Sequence, residues 1–283
     1  MLAVLSHIIA LTGVRFGQFY VMVASAAEHG EEGGALTDPL PSLAYYIAHY
    51  CHAEWVEHWV NVFYAFAIAL LFMFLAMRAY SKREMIPGPF QNAIEMIVEG
   101  LFNFFHSILG DDARKYAPFL GTLFIYILAM NWIGMLPLGH APSTSLEITG
   151  SLAIIVFIYA QCVGIKRLGI GGYLHHMAGS PNDVIGWSMV ILMFPLHLIG
   201  ELAKPLSLAL RLFGNITGED TLIAVFVSLG VAITPFIGSI VGIPIQTPFY
   251  FLGLLLSTVQ ALVFSLLACI YILLMLPHEE HAH

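Results

Sequence analysis

A group of charged and amide side chains interrupts an apolar stretch late in the chain. The segment "LALRLFGNITGED" carries Arg211, Asn215, Glu219 and Asp220, although residues 185–233 are otherwise mostly apolar. A charged side chain at membrane depth costs about 2.5–3.5 kcal/mol on insertion scales, so such a residue indicates a functional site by default. A guanidinium also remains protonated under all ordinary conditions. Arg211 is therefore the first candidate for chemistry, as a permanent positive charge that attracts an anion.

The spacing around Arg211 leaves that charge without a partner on its own helix. At 100° per residue Asn215 shares the face of Arg211, whereas Asp220 points to the opposite face, roughly 13 Å further along the axis. A neutralising carboxylate would lie three or four residues away. We therefore expect Arg211 to meet a partner outside the chain.

A second pair of titratable residues precedes the arginine. His197 and Glu201 lie one helical turn apart in the same apolar stretch. Since histidine titrates near neutral pH, the two side chains can pass protons through water. Structural hydrogen bonding between packed helices is the alternative interpretation.

The composition shows which elements must position these residues. The chain has 283 residues, of which 59% are hydrophobic and 10% charged, and a mean hydropathy of +0.85. Soluble domains are nearer one quarter charged, so this is a polytopic membrane protein. The net charge of −8 gives no reason to expect a nucleic-acid partner. Neither a disulfide framework nor a metal or other cofactor is expected from the three cysteines and the scattered histidines.

The predicted fold is all-α, with about five membrane helices and an amphipathic helix on the membrane surface. The surface helix lies in "PGPFQNAIEMIVEGLFNFFHSIL", where apolar residues recur at helical spacing. The last two spans are over-long, which favours tilted helices, the first of them either single or broken in two. Three basic clusters fall on one side of the membrane: Arg78 with Lys82 and Arg83, Arg114 with Lys115, and Lys166 with Arg167. The segment "GIGGYLHHMAGSPNDV" is predicted as a soluble loop. The predicted spans cover residues 59–79, 116–136, 146–164, 185–233 and 249–276.

Two parts of the chain are distinguished by composition. Residues 1–54 form an amino-terminal segment and linker, and residues 55–283 form a membrane domain. Within the amino-terminal segment, an apolar stretch ends at Ala24-Ser25-Ala26. Small residues at the end of such a stretch are typical of a signal-peptide cleavage site. Arg15 interrupts that stretch, so an interfacial helix is the alternative.

Four segments together resemble subunit a of F-type ATP synthases: "PGPFQNAIEMIVEG", "MNWIGMLP", "GELAKPLSLALRLFGNITGED" and "TVQALVFSLLACIY". They occur in family order and cover about residues 55–277. The resemblance implies that Arg211 faces the essential carboxylate on the ring of c subunits. It further implies an ion path along the remaining site residues: Asn215, Asp220 or Glu219, Gly253, Gln260, Glu201 and His197.

Within that path the resemblance assigns individual roles. Gln260 corresponds to a glutamine that approaches the arginine, and His197 takes a position where relatives often have Glu. An ungapped alignment favours Asp220 as the inlet carboxylate, with Glu219 as the alternative if the helix slips by one residue. Gly253 takes the position of a titrating residue and leaves a space that water can fill.

The function implied is a non-catalytic stator subunit of a rotary ATP synthase. It would form two half-channels beside the c-subunit ring, carry protons or sodium ions, and assemble with the peripheral-stalk b subunits, the remaining subunits and the lipid bilayer. A bacterial cytoplasmic membrane is expected, with an organellar membrane as the alternative. Two rivals are a secondary transporter whose arginine binds an anionic substrate and a haem or metal redox subunit. Paired halves would favour the transporter, and two facing intramembrane histidines the redox subunit.

Overall fold

The described part of the protein is helical throughout. The structure is a computed structural model that describes residues 54–81, 88–135, 140–179, 184–237 and 245–276. The predicted amino-terminal signal or interfacial helix lies outside the described residues. No strand occurs in the described ranges, which confirms the all-α prediction. The helices are α1 (Glu54–Ser81), α2 (Pro89–Leu109), α3 (Ala113–Met135), α4 (Leu146–Met177), α5 (Val184–Ile237) and α6 (Thr247–Leu274).

Two short 3-10 helices connect some of these elements. Gly110–Asp112 joins α2 to α3, and Pro142–Thr144 precedes α4. Gly110 has φ 58°, a left-handed value that glycine adopts at little steric cost, and so it ends α2. The helix predicted in this segment is therefore present as α2 and is separated from α3 by one tight turn, while its place on the membrane surface stays a prediction.

Five helical segments of the described residues are long and apolar enough to cross a membrane. Their mean hydropathies range from 1.3 to 2.3. A spanning helix needs about 20 residues, and each segment meets that length. The prediction of a polytopic membrane protein is thus confirmed by length and composition. The segments are Trp59–Arg78, Pro89–Met135, Leu146–His175, Val190–Val227 and Thr247–Leu274.

Helix α5 is one continuous element of 54 residues. At 1.5 Å per residue it is about 80 Å long, whereas the hydrocarbon layer is about 30 Å thick. An apolar helix of that length keeps its residues within the bilayer only by tilting strongly. Of the two sequence interpretations, a single long helix or two broken ones, the structure has the single helix.

The prediction of a soluble loop after residue 168 is wrong over most of its length. Helix α4 continues to Met177 and is interrupted only at Gly169, which has φ 71° and ψ 164°. This backbone conformation is essentially restricted to glycine. The glycines of "GIGG" therefore mark a sharp kink between two helical segments and not a loop.

The chain divides into two compact units. Of the described residues, the first unit contains 54–72, 126–135, 140–145, 213–237 and 245–260, and the second contains 73–81, 88–125, 146–179, 184–212 and 261–276. The chain passes from one unit to the other within α1, α3, α5 and α6. Each unit has its own apolar core. Ile127, Met130, Ile216 and Ile223 are buried in the first unit, and Phe105, Leu120, Leu212 and Phe264 in the second.

Large apolar side chains are exposed along α1. Phe63, Phe66, Leu71 and Phe74 are each more than half exposed. A patch of this kind on a water-soluble protein would mark a contact surface. On a membrane helix it is the surface expected to face lipid or other membrane subunits.

Candidate functional site

Arg211 lies on the exposed side of α5. Its neighbours Leu208 and Leu212 are buried, so α5 uses another face for packing and leaves the guanidinium on its surface. Among the described residues no carboxylate lies within ion-pair distance of Arg211. The structure thus keeps the arginine available to an anion that belongs to another molecule, in agreement with the spacing argument.

Asn215 and Gln260 join α5 to α6 within the first unit. Asn215 Nδ2 donates a hydrogen bond of 2.6 Å to Gln260 Oε1. Gln260 is 3% exposed, and its Nε2 has no hydrogen-bond acceptor in the part of the chain that the structure describes. A buried donor without a partner costs about 1–3 kcal/mol. The amide pair therefore fixes the register of the two helices and leaves one donor for a group that these residues do not supply.

Glu219 contacts α6 one turn beyond that pair. Ser257 Oγ donates a hydrogen bond of 3.0 Å to Glu219 Oε2. The carboxyl group also occupies the space beside Gly253, where an added Cβ would collide with it and would come within 2.7 Å of Met135 Cε. The space that we expected water to fill beside Gly253 thus holds the Glu219 carboxyl group.

The structure gives Glu219, and not Asp220, the contact with Gly253. Glu219 follows Asn215 by four residues, so the two side chains share the face of α5 that meets α6. Asp220 is one residue further and is directed about 100° around the helix. The geometry therefore favours the alternative register, in which Glu219 takes the position expected for Asp220.

A series of polar groups connects Glu219 to the 3-10 helix that precedes α4. Asn131 Nδ2 donates a hydrogen bond of 3.3 Å to the carbonyl oxygen of Ser257, and Ser143 Oγ donates one of 2.8 Å to Asn131 Oδ1. Asn131, Ser143 and Ser257 are all buried. Nearby, Trp132 Nε1 donates a hydrogen bond of 3.1 Å to Thr258 Oγ1. Buried polar groups thus extend from Ser143 to the Glu219 carboxylate, and Ser257 takes part through its carbonyl oxygen towards Asn131 and through its hydroxyl towards Glu219.

Gly253→Ala tests whether Glu219 needs the space beside α6. The new methyl group would collide with the carboxyl group, so Glu219 should move away from Ser257. On the function that the family resemblance implies, we expect a roughly tenfold slower proton-driven ATP synthesis with the complex still assembled, since only the ends of two flexible side chains, Glu219 and Met135, must shift. Gly150→Ala is the control, because a Cβ at Gly150 would have no atom within 4 Å. Equal rates for both variants and the parent protein would contradict this role of Gly253.

Glu201 is the centre of a polar cluster within the second unit. Its carboxylate forms an ion pair with Lys204, three residues along α5. The other carboxylate oxygen accepts a hydrogen bond of 2.8 Å from Gln161 Nε2 on α4. The Lys204 ammonium lies 5.5 Å from the centre of the Tyr271 ring on α6, a cation–π distance. Three helices therefore fix the position of Glu201.

His197 is placed away from this cluster. It is exposed, and its Cε1 lies 3.9 Å from the position that a Cβ would take at Gly179. No hydrogen bond connects His197 to Glu201 in the described part of the chain. The two residues share a helix face, as predicted, but the structure brings Lys204 and Gln161 to Glu201 in place of the histidine.

Several polar residues around Glu219 and around Glu201 were not predicted from the sequence. In the first unit these are Asn131, Ser143 and Ser257, and in the second they are Gln161, Tyr173 and Lys204. Their signal was available, because an amide or hydroxyl inside an apolar membrane helix needs a hydrogen-bond partner. What the sequence alone did not supply was the identity of that partner on another helix.

These side chains define the class of protein. The described residues contain no group of three His, Cys, Asp or Glu side chains that could hold a metal ion. They contain instead carboxylates, amides and hydroxyls inside apolar helices, together with an arginine that has no carboxylate partner. Such an arrangement is typical of an integral membrane protein that moves a small ion.

Comparison with known proteins gives the family. The sequence model of the ATP synthase A chain matches residues 60–273. The chain is 44% identical to ATP synthase subunit a of Protochlamydia amoebophila, over 93% of this chain and 97% of that relative. It is 40% identical to ATP synthase subunit a of Oleidesulfovibrio alaskensis, over 79% of this chain and 87% of that relative. The chain therefore belongs to the ATP synthase subunit a family, whose members are multi-pass membrane proteins of ATP synthesis and proton transport.

Proposed function

We propose that the chain is the stator subunit that forms two proton half-channels beside a ring of c subunits and couples proton flow to its rotation. The observation that supports this most directly is Arg211, an exposed guanidinium on an apolar helix with no carboxylate partner among the described residues. A carboxylate on a neighbouring subunit would be attracted to it. As the ring turned, the arginine would favour the deprotonated form of each passing carboxylate.

The inlet half-channel is proposed to end at Glu219. The buried series from Ser143 through Asn131 and Ser257 provides hydroxyl and amide groups up to this carboxylate. Hydroxyl groups both donate and accept hydrogen bonds, so water beside them can relay a proton. Asn215, one turn before Glu219 on α5, and its hydrogen-bond partner Gln260 would guide the proton towards the ring.

The outlet half-channel is proposed to pass Glu201 and His197 towards the side of the basic loops. Arg167, on α4 just before the kink at Gly169, forms an ion pair with Asp112 beside the basic pair Arg114 and Lys115, which supports a common side for both clusters. A cavity of about 10 Å³, lined mostly by apolar residues together with Gln161, Glu201 and Lys204, is only just large enough for one water molecule. Along α5, Arg211 lies between the outlet residues His197 and Glu201 and the inlet residue Glu219. Its permanent positive charge would therefore block direct proton flow between the two half-channels.

Partners and location follow from this function. The c-subunit ring would face Arg211, and the peripheral-stalk b subunits would hold the chain still against rotation. Each proton that crosses releases about 2.3 kcal/mol per 100 mV, so several must be coupled to each ATP formed. Phosphate chemistry would belong to other subunits of the complex. Since the relatives named above are bacterial, we place the chain in a bacterial cytoplasmic membrane.

Native mass spectrometry of the purified complex tests this assignment. We expect the chain to be recovered with several copies of one small hairpin protein and with the stalk subunits. Recovery of the chain alone, with transport of an anion in reconstituted vesicles, would instead support a secondary transporter. That result would overturn the stator assignment.

Replacement of His197 by Ala and Glu201 by Gln tests the outlet. The double variant removes both titratable groups and leaves Lys204 without its ion partner, so proton flux should fall roughly tenfold. The pH dependence of ATP-driven pumping should also flatten near neutrality. Pumping rates that match the parent protein from about pH 6 to 8 would reduce both residues to packing roles. Separate single variants then show which residue carries the effect.

A further inference from the structure

The kink in α4 brings two distant residues together. Tyr173 follows Gln161 by twelve residues, which on a straight helix would separate them by about 18 Å along the axis. Gly169 breaks the helix between them, and the Tyr173 hydroxyl donates a hydrogen bond to Gln161 Oε1. The left-handed backbone at Gly169 is therefore what allows the end of α4 to return to its own middle.

A second contact holds the segment of α4 that precedes the kink. Arg167, two residues before Gly169, forms an ion pair with Asp112 in the 3-10 helix between α2 and α3. One segment of α4 is thus held by Asp112 and the next by Gln161. The position of Tyr173 is determined by these two contacts together with the glycine.

The hydrogen bond from Tyr173 orients the amide of Gln161. An amide has one donor end and one acceptor end, and either can be turned towards a neighbour. Because the Tyr173 hydroxyl donates to Oε1, the Nε2 end is directed to Glu201, where it donates the 2.8 Å hydrogen bond. A carboxylate accepts hydrogen bonds only, so this orientation stabilises its charged form. The opposite orientation would place two acceptors together.

We propose that Tyr173 is a positioning residue of the outlet half-channel, and that its hydroxyl holds Gln161 so that Glu201 stays a charged proton acceptor. The proposal rests on the function proposed above, in which Glu201 lies on the outlet path. The other charged or titratable groups beside this site are Lys204 on α5 and Tyr271 on α6, whereas His197 lies away from the cluster and Arg211 is ten residues further along α5. None of these orients the Gln161 amide.

Tyr173→Phe removes the hydroxyl and keeps the ring. The Gln161 amide is then free to rotate, so Glu201 loses a donor for part of the time and takes up a proton more readily. We expect ATP-driven proton pumping in inverted vesicles, with the complete complex present, to fall about threefold at the acidic end of its pH profile. The acidic limb should move upward by roughly half a pH unit. Gln161→Leu should move the limb in the same direction.

Two controls separate positioning from general damage. Tyr159→Phe removes a hydroxyl from the same helix, at a ring that stacks on Phe119, and should leave the profile unchanged. In a Glu201→Gln background Tyr173→Phe should have no further effect, because no carboxylate remains to be held. An unchanged profile for Tyr173→Phe, or an equal shift in the Glu201→Gln background, would overturn the proposal. If Tyr173→Phe does not assemble, the same comparison with Gln161→Leu decides.

Arg211→Ala in the same vesicles distinguishes a failure of the positioning role of Tyr173 from a failure of the half-channel function. If it abolishes pumping while Tyr173→Phe leaves the profile unchanged, the positioning role fails and the half-channel function remains. If Arg211→Ala pumps normally, the half-channel function itself fails, whatever the tyrosine variant does.

Discussion

Arg211→Ala is expected to abolish coupled ATP synthesis and ATP-driven proton pumping while the complex still assembles. The side chain is exposed on α5 and has no carboxylate partner among the described residues, so its loss leaves no internal group unpaired. What is lost is a permanent positive charge that favours the deprotonated form of a passing carboxylate. Synthesis and pumping are measured in inverted vesicles, with assembly verified by recovery of the whole complex.

The passive proton leak separates this mechanism from transport of an anion. Without the arginine a protonated ring site can pass between the half-channels, so passive flux through the membrane sector should persist or rise. A transporter that used Arg211 to bind its substrate would instead lose all flux. Loss of passive proton flux together with coupling would therefore contradict the barrier role of the arginine.

Arg211→Lys is the matched control for charge alone. Lysine keeps a positive charge but presents it as a compact ammonium that can be deprotonated in an apolar setting, and it lacks the planar fork of the guanidinium. We expect this variant to fail in coupled synthesis as well. Full coupled synthesis by an assembled Arg211→Lys complex would show that any cation suffices.

The fold was largely predictable because membrane helices have a strong sequence signal. Apolar stretches of sufficient length identified all five spans, and the amphipathic pattern identified α2. The wrong prediction concerned residues 169–177, where polar and glycine-rich sequence is typical of loops. This segment is helical because tertiary contacts stabilise it: the Tyr173 hydrogen bond and the Arg167 ion pair hold a kinked helix that local propensity does not reveal.

The site shows where pattern reasoning reaches its limit. Arg211, Asn215 and Glu201 could be selected from their chemistry and depth alone. The choice between Glu219 and Asp220 required the contacts with Ser257 and Gly253 on α6, which the sequence alone does not show. In retrospect the spacing contained a signal: Glu219 lies four residues after Asn215, while Ser257 and Gly253 lie three and seven residues before Gln260. Both sets place their members on one helix face, so the contact between Asn215 and Gln260 also brings Glu219 to Ser257 and Gly253.

Glu219→Gln is expected to slow proton uptake about a hundredfold and so to stop most proton-driven ATP synthesis, with assembly preserved. The substitution keeps the volume that fits beside Gly253, and its amide oxygen can still accept the hydrogen bond from Ser257. It removes only the group that can take up and release a proton, and such a positioned group typically contributes about 10²–10⁴-fold to a rate. The measurement is ATP synthesis driven by an imposed pH gradient across vesicles that contain the complete complex.

Asp220→Asn is the matched variant one residue along the same helix. It too removes a single carboxyl group without changing volume, but the structure gives the contacts with Ser257 and Gly253 to Glu219. We expect Asp220→Asn to slow synthesis severalfold at most, the reverse of the order that the ungapped alignment predicts. A severe defect in Asp220→Asn beside a mild one in Glu219→Gln would show that the working register of α5 differs by one residue from this structure. Since one residue turns a helix by 100°, the pair of variants measures which face of α5 meets α6 while protons move.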